Sequence, residues 1–483
     1  MLNDRILREL RAIVGDDYVR AGPAQLIAYS YDATFQQAPP DAVVLPRTTE
    51  QVAAVLRLAN RDGIPLIPRG AGTSLAGGTI PLTGGIVLSL TRMNDIKEID
   101  VGNTCAVVEP GVVTATFQAA VEKVGLFYPP DPASLNQSTL GGNVACNAGG
   151  PRCLKYGVTR DYVLGLTVAL ADGRVLRLGG KTIKNVSGYQ LIQLFTASEG
   201  TLGVITQITL RLVPLPRHRS TAVAIFPKLD DAGDAVTAVL GSGVLPVTLE
   251  LMDKLAINCV EDYLHMGLPR DAEALLLIEQ GGNSQMAVQQ EIETVAAACK
   301  ETGASDVRVA TSPEEREALW RARRAVSAAI GRRAPNKIGE DVVVPRSQVP
   351  EMVRRVRRIG EEHGFETPIF GHAGDGNLHP NFLFDRRKPG EMERLERAAA
   401  AVFRAALDLG GTLSGEHGIG TLKREFMEDA LGADTLGVMR AIKQALDPKG
   451  ILNPGKKFPT GTTGDHSGFL TALPTLDSPA GEE

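Results

Sequence analysis

Four glycines fall between positions 70 and 78 in "PRGAGTSLAGG", directly behind the apolar run "IPLIP". Lacking Cβ atoms, such a loop takes unusual dihedrals and brings several backbone N–H groups against a phosphate, so it suits wrapping a ligand better than filling a core. It is not a Rossmann fingerprint: Gly70 and Gly72 are present, but Leu75 stands at the third glycine position and no amphipathic helix follows. "GGKT" at 179–182 fails as a P-loop because Val175 occupies its first glycine position. Taken alone, either segment could be a plain turn.

The loop sits in a region, 42–217, that cycles between short β-rich runs and helical pieces. "AVVLP", "TTEQVAAVLRLANRDG" and "IPLIP" read as strand, helix and strand, with Thr48 and Gln51 in a capping-box pattern and Gly63 as the stop. "GIVLSL", "CAVVEP", "VLGLTVALADG" and "GVITQITLRLVP" are further strands, and this half is α/β or α+β. Prolines and basic residues in "PLPRHRS" mark a boundary. A second alternating region follows, with strands "TAVAIF", "VTLELMD" and "ALLLIEQGG" and a helix over "MAVQQEIETVAAACKETG". No internal repeat is present.

A chain of 483 residues exceeds the roughly 250 to 300 that one core supports. A formal charge of −5 excludes nucleic-acid binding as its main task. The Arg pairs of "EMVRRVRRIGEEHG" read as a solvated helix face. Five cysteines without a Cys-x-x-Cys pair indicate neither an iron–sulfur cluster nor a disulfide framework, and a reducing compartment fits. Cys146 and Cys153 read as buried structural thiols. No apolar run reaches the ~20 residues of a membrane span, and "MLNDRILRELRAIVG" is no signal peptide. The expected location is cytoplasmic, and peripheral docking at an inner membrane would leave no mark in the sequence.

Two of the seven histidines, His372 and His379, flank a Gly-Asp-Gly turn in "ETPIFGHAGDGNLHPNFLF", which alternates as a hairpin does. If they pair directly across the hairpin, both imidazoles share a face with Asn381. Two imidazoles and a carboxylate suit Zn²⁺, Mn²⁺ or Fe²⁺ with positions left for a substrate. Glu416 in "SGEHGIG" is the candidate carboxylate and His417 the candidate base, since the glycines at 415, 418 and 420 permit a turn that aims both inward. A lone histidine is more often a core or surface residue, so the reading rests on the constellation. A metallohydrolase is the rival, and it leaves the glycine-rich half idle.

"PRGAGTSLAGG", "PPDPAS", "TLGGNVACNAGGPRCLKYGVTRDYVLGL" and "KNVSGYQLIQLFTASEGTLGVIT", in that order, resemble the FAD-binding domain of the vanillyl-alcohol oxidase/p-cresol methylhydroxylase superfamily. "WRARRAVSAAIGRRAPNKIGEDVVVPR" and "DPKGILNPGK", with the histidine segments, resemble the C-terminal half of FAD-linked D-2-hydroxyacid dehydrogenases. That family includes D-lactate dehydrogenase, the D-subunit of glycolate oxidase and D-2-hydroxyglutarate dehydrogenase. The resemblance implies an α+β fold: an N-terminal helical segment (1–37), a two-subdomain FAD-binding domain (38–217), an α+β substrate domain ending in a helical segment (218–458), and a flexible tail (459–483).

By the same resemblance Arg69, Gly70, Gly72, Thr73 and Ser74 hold the pyrophosphate. Pro130, Asp131, Ser134, Thr139, Gly142, Asn143 and Gly149 line the flavin ring and ribityl chain, and Glu199, Gly203 and Ile205 meet the adenosine end. Thr73 and Ser74 stand where covalent relatives carry a histidine, so non-covalent FAD is implied. The resemblance assigns metal ligation to His372, His379 and Glu416, proton abstraction to His417, substrate contact to Asn381 and carboxylate binding to Arg323, which Arg321 and Arg324 flank. Ser327 replaces a threonine of the hydroxyglutarate enzymes, and Lys337 is offset from their lysine. The implied reaction takes a D-2-hydroxy acid to its 2-oxo acid, with electrons leaving to a quinone, a cytochrome, an electron-transfer protein or an iron–sulfur subunit. Homodimer, complex subunit and non-catalytic FAD subunit all remain open.

Overall fold

The computed structural model describes residues 2–460 and 468–470. The chain forms two compact units: Met1–Ala148 with Val158–Leu215 and Glu416–Glu483, and Gly149–Gly157 with Pro216–Gly415. In the first, β1 (Val19–Arg20), β2 (Ala42–Val44), β3 (Leu66–Arg69) and β4 (Ile86–Ser89) form a sheet ordered β1-β2-β4-β3. β2 and β3 both run parallel to β4. Parallel neighbours need a crossover, and the Thr49–Asp62 helix supplies it. The Thr48 hydroxyl accepts from the Gln51 amide at 3.3 Å, and Gly63 stops the helix at φ 67°. The capping box closes one residue early, since the Gln51 side-chain oxygen accepts from the Arg47 amide at 2.7 Å.

β5 (Ile96–Asp100), β6 (Cys105–Val108), β7 (Leu126–Phe127), β8 (Val163–Ala169), β9 (Val175–Gly179), β10 (Val204–Arg211) and β11 (Val213–Pro214) complete this unit. Five of them make an antiparallel sheet ordered β5-β6-β10-β8-β9, while β7 pairs with β11. The N-terminal helix Asp4–Val14 is part of the same core, for Ile6, Leu10 and Val14 pack in one cluster with Val52, Leu56, Leu66 and Leu88.

The C-terminal return is stitched to that core. Leu452 bridges Leu66 in parallel, Asn453 donates to the Gly78 carbonyl at 2.9 Å, and Lys456 donates to the Ile80 carbonyl at 2.7 Å. The sequence reading extends the second domain to 458, whereas the contacts end it at Gly415. The expected tail lies largely outside the described residues. Within them, Phe469 and Leu470 are buried, and Phe469 meets Phe426 edge-on at 5.2 Å.

The second unit is built on one antiparallel sheet of β12 (His218–Phe226), β13 (Thr248–Asp253), β14 (Ala274–Gly282), β15 (Asp306–Val309), β16 (Asn336–Gly339), β17 (Val342–Val343), β18 (Ile369–His372) and β19 (Asn377–Phe384). The order is β15-β12-β14-β13-β18-β19-β16, with β17 also on β19. Alternation gives each strand two faces. One face carries Val223, Ile225, Leu275, Leu277, Met252, Phe370 and Leu383, packed against Ile257 and Val260 of the Lys254–Leu264 helix and Val326 and Ile330 of the Pro313–Gly331 helix. Burying such side chains contributes on the order of 1.5 to 3 kcal/mol each. Towards one end of the sheet the same face turns polar, and the candidate site lies there.

Candidate active site

The hairpin of β18 and β19 turns through residues 373–376, where Gly376 has φ 84° and a Cβ would fall 2.0 Å from the Val344 carbonyl oxygen. The two histidines do not face each other directly. His372 pairs with Asn377 and His379 with Phe370, so the direct pairing read from the sequence is corrected to a diagonal one. The outcome for the face is unchanged, because Asn377, His379 and Asn381 alternate on one side of β19 and His372 stands opposite the first. The imidazoles meet edge-on with centroids 5.3 Å apart, and both are buried.

Each imidazole has a buried carboxylate on its Nδ1 side. For His372 it is Glu250 of β13, whose oxygens stand 2.7 and 2.9 Å from Nδ1. For His379 the carboxylate is Asp341, with one oxygen 4.0 Å from Nδ1, beyond hydrogen-bond distance. The Glu250 contact fixes the His372 ring and turns its Nε2 away from Glu250, the side on which a ligand atom would be needed. Asp341 also fixes the chain before Glu416: it accepts from the Ser414 hydroxyl at 2.6 Å and the Gly415 amide at 2.9 Å, and from the Asn377 side chain at 2.6 Å. Glu416 is joined directly to that anchored segment. His372, His379 and Glu416 each offer a ligand atom, and these atoms lie within 4.8 Å of one another. Two imidazole nitrogens and one carboxylate at that spacing fit a divalent cation with open positions.

Glu250 does more than hold His372. Arg323 donates to its Oε2 through Nε at 2.8 Å and stands 2.5 Å away through Nη2. Burial would raise the Glu250 carboxyl, but the His372 and Arg323 charges together hold it below its ordinary value. Of the three neighbouring arginines only Arg323 is buried, and its guanidinium lies over the Phe370 ring at 4.9 Å. Because Nε and Nη2 already face Glu250, a substrate carboxylate would meet the Nη1–Nη2 edge of the fork. Asn381 is buried too, with its amide donating to the His379 carbonyl at 2.8 Å. Lys337, opposite Leu383 on the same face, donates to the Ser327 carbonyl at 2.8 Å and the Ser327 hydroxyl at 2.5 Å, and burial lowers it to about 8. Glu250 and Asp341 escaped the sequence reading. The available signal for Glu250 was a lone glutamate at an inward position of the apolar strand "VTLELMD".

In the first unit the 69–78 loop leaves β3 as expected. A Cβ on Gly70 would fall 2.3 Å from the Thr139 hydroxyl, so the first and third resembling stretches meet there. That hydroxyl is buried without a hydrogen-bond partner, which suits a cradle awaiting an acceptor or donor from FAD. Gly72, at φ 76°, leaves room for the Arg69 guanidinium, which a Cβ would approach to 2.1 Å. Ser74 serves the loop itself, its hydroxyl accepting from the Gly78 amide at 3.1 Å. Asn143 donates to the Thr114 hydroxyl at 2.8 Å, and the Pro130 carbonyl accepts from Gln118 at 2.8 Å. Gly203 packs on Val168, and Ile205 pairs with it on β10. Asp131 is buried, whereas Gly149 belongs to the second unit.

Glu199 is committed to the protein. Its carboxylate accepts from the Ile419 amide at 2.9 Å and the Gly420 amide at 2.7 Å, and pairs with Lys457 at 2.9 Å. It therefore anchors the turn that follows His417, in which Gly418 has φ 89° and Gly420 φ 50°.

This geometry has known counterparts. Residues 215–457 match the family described as FAD linked oxidases, C-terminal domain, and residues 40–179 match an FAD binding domain. The "Glycolate oxidase subunit GlcD" of Bacillus subtilis is 45% identical over 459 residues, covering 95% of this chain and 97% of that protein. The "D-lactate dehydrogenase" of Archaeoglobus fulgidus is 39% identical over 436 residues, covering 89% of this chain and 95% of its own. The solved structure of p-cresol methylhydroxylase with substrate bound superposes with a TM-score of 0.79 at 20% identity, over 94% of this chain and 96% of that one, and so shares the fold. An α+β flavoprotein of that fold is the class of protein defined here. The chain belongs to the FAD-linked oxidases and is an oxidoreductase of the glycolate oxidase and D-lactate dehydrogenase type.

Proposed function

We propose that the protein oxidises a small 2-hydroxy acid, D-lactate or glycolate, to the 2-oxo acid. The observation that carries this is the pair of buried imidazoles, one of them backed by the Glu250 carboxylate, beside a buried arginine in a chain of the FAD-linked oxidase family. When bound, FAD supplies a two-electron sink, and a divalent cation, Zn, Mn or Fe, supplies positive charge that makes a hydroxyl proton easier to remove. His372, His379 and Glu416 would hold the cation. Non-covalent FAD would lie along Arg69, Gly70, Gly72, Thr73 and Ser74, with Pro130, Asp131, Ser134, Thr139, Gly142, Asn143, Gly149, Gly203 and Ile205 around it and Glu199 bracing the turn after His417.

Arg323 holds the substrate carboxylate, and Asn381 gives a further contact. His417 takes the proton of the 2-hydroxyl, and hydride leaves C2, so the carbon–oxygen bond becomes a carbonyl. Glu250 keeps the His372 proton on Nδ1 and offsets the buried charge of Arg323. With no cysteine cluster in the chain, electrons leave to a quinone or another protein, and the relatives named as subunits support membership in a complex. Among the described residues no helix is long and apolar enough to cross a membrane.

The test is anaerobic mixing with a panel of 2-hydroxy acids while flavin absorbance is followed. Bleaching by D-lactate or glycolate, lost on chelation while the flavin stays bound, is expected. Bleaching that survives complete metal removal would sink the metal role, and no bleaching by any 2-hydroxy acid would sink the reaction.

A further inference from the structure

The polar end of the second unit's sheet extends beyond the histidines. Thr248 lies two residues before Glu250 on the same face of β13, about 7 Å along the strand, and pairs directly with Glu279 of β14. Thr221 of β12 faces Glu279 from the other side. The Glu279 carboxylate is buried and held through Oε2, which accepts from Trp320 Nε1 at 2.7 Å and the Thr221 hydroxyl at 3.1 Å. The Thr248 hydroxyl is 1% exposed and has no hydrogen-bond partner. An unmatched buried hydroxyl costs roughly 1 to 3 kcal/mol, which a ligand group can recover.

The Pro313–Gly331 helix lies over this row of strands. Arg316 donates to the Arg219 carbonyl at 3.4 Å, Trp320 meets Glu279, Arg323 meets Glu250, and Ser327 receives Lys337. The spacing of three and four residues puts all four on one stripe of the helix. The Glu279 and Thr248 pair is thus one helical turn and one strand step from the arginine assigned to the substrate carboxylate. Two cations of this face are engaged, Arg323 by Glu250 and Lys337 by Ser327, while Arg219 stands on the same face of β12, opposite Gly281.

We propose that Thr248 and Glu279 form a second substrate subsite, which receives a hydrogen-bond-donating group beyond C2, a hydroxyl above all, and rejects a second carboxylate. This rests on the reading of the protein as a 2-hydroxy-acid oxidoreductase and names the substrate class within it. An ionised carboxylate accepts only, so a ligand hydroxyl that donates to Glu279 and accepts from Thr248 satisfies both groups. A ligand carboxylate there would place a second negative charge beside Glu279, which a ligand hydroxyl does not.

Trp320 is the chain's single tryptophan and touches Glu279, so its fluorescence reports from this subsite. The holoprotein is titrated with pyruvate, hydroxypyruvate and 2-oxoglutarate, which resemble the products and need no turnover. Hydroxypyruvate should bind on the order of tenfold more tightly than pyruvate, with 2-oxoglutarate weakest. Thr248→Val should collapse the first ratio towards one. Glu279→Gln should narrow the gap to 2-oxoglutarate by about tenfold, and it serves alone if the Thr248 variant does not fold. Equal binding of all three, tightest binding of 2-oxoglutarate, no saturable change with any ligand, or ratios unmoved by both variants would overturn the subsite. Failure of every 2-hydroxy acid to bleach the flavin would instead defeat the underlying reaction while the binding ratios still judged the subsite.

Discussion

Glu250 touches both His372 and Arg323, and the two roles separate in a substitution. Glu250→Gln keeps the shape but removes the charge, so Nδ1 of His372 is left with a neutral amide oxygen in place of a carboxylate and Arg323 is left buried without a counter-ion. Removing one partner of a buried ion pair costs about 3 to 5 kcal/mol, and removing a carboxylate behind a ligating imidazole costs about 10 to 100-fold in metal affinity. Metal titration of the chelated variant and a denaturant melt should show both effects. Unchanged metal affinity would mean that Glu250 serves Arg323 alone. At this scale the residues of the cluster could be picked out, because His, His and Glu around glycine turns are rare enough to notice. Their supports were not, since Glu250 and Asp341 lie far away in sequence and only the order of the strands brings them near. The direct pairing of the histidines was misread because a four-residue turn shifts the register, which nothing in "HAGDGNLH" specifies.

Glycine acts differently at the end of a helix and in a close approach. Gly63 has open space around its missing Cβ, so Gly63→Ala costs only the left-handed backbone, about 1 kcal/mol, and should leave flavin content unchanged. Gly70→Ala would drive a methyl to 2.3 Å from the Thr139 hydroxyl and force the loop from its cradle. The expected result is a fall of more than half in flavin per chain, read as the ratio of flavin to protein absorbance. Equal flavin content in the two variants would dissociate this loop from FAD. Elements with strong apolar patterns were visible in the sequence. The edge strands β5, β9 and β15 were missed because "IKEID", "VLRLG" and "DVRV" carry the charges that protect an unpaired edge, and those same charges hide the alternation.

Over the whole molecule the contacts divide the chain at 215 and again at 416, and the second division has no mark in the sequence because a segment's partners cannot be read from chain order. Lys456 belongs to that return and gives it a signature in pH. Its ammonium is buried against the Ile80 carbonyl, and burial, with Arg424 adding to it, lowers it to about 7, against roughly 10.4 in an unfolded chain. Between those values the unfolded state holds a proton that the folded state lacks, so stability rises with pH across that window. Its contribution is complete above the unfolded value and is lost as pH falls through the folded one. Lys456→Met removes the cost of the buried charge, so the variant should be more stable than the parent at pH 7 by up to a few kcal/mol. That advantage should shrink steadily to nothing by about pH 10. Thermal midpoints of both proteins across the range decide it: an advantage independent of pH would show that the lysine is not held near neutrality and that its burial is matched by a fixed counter-charge.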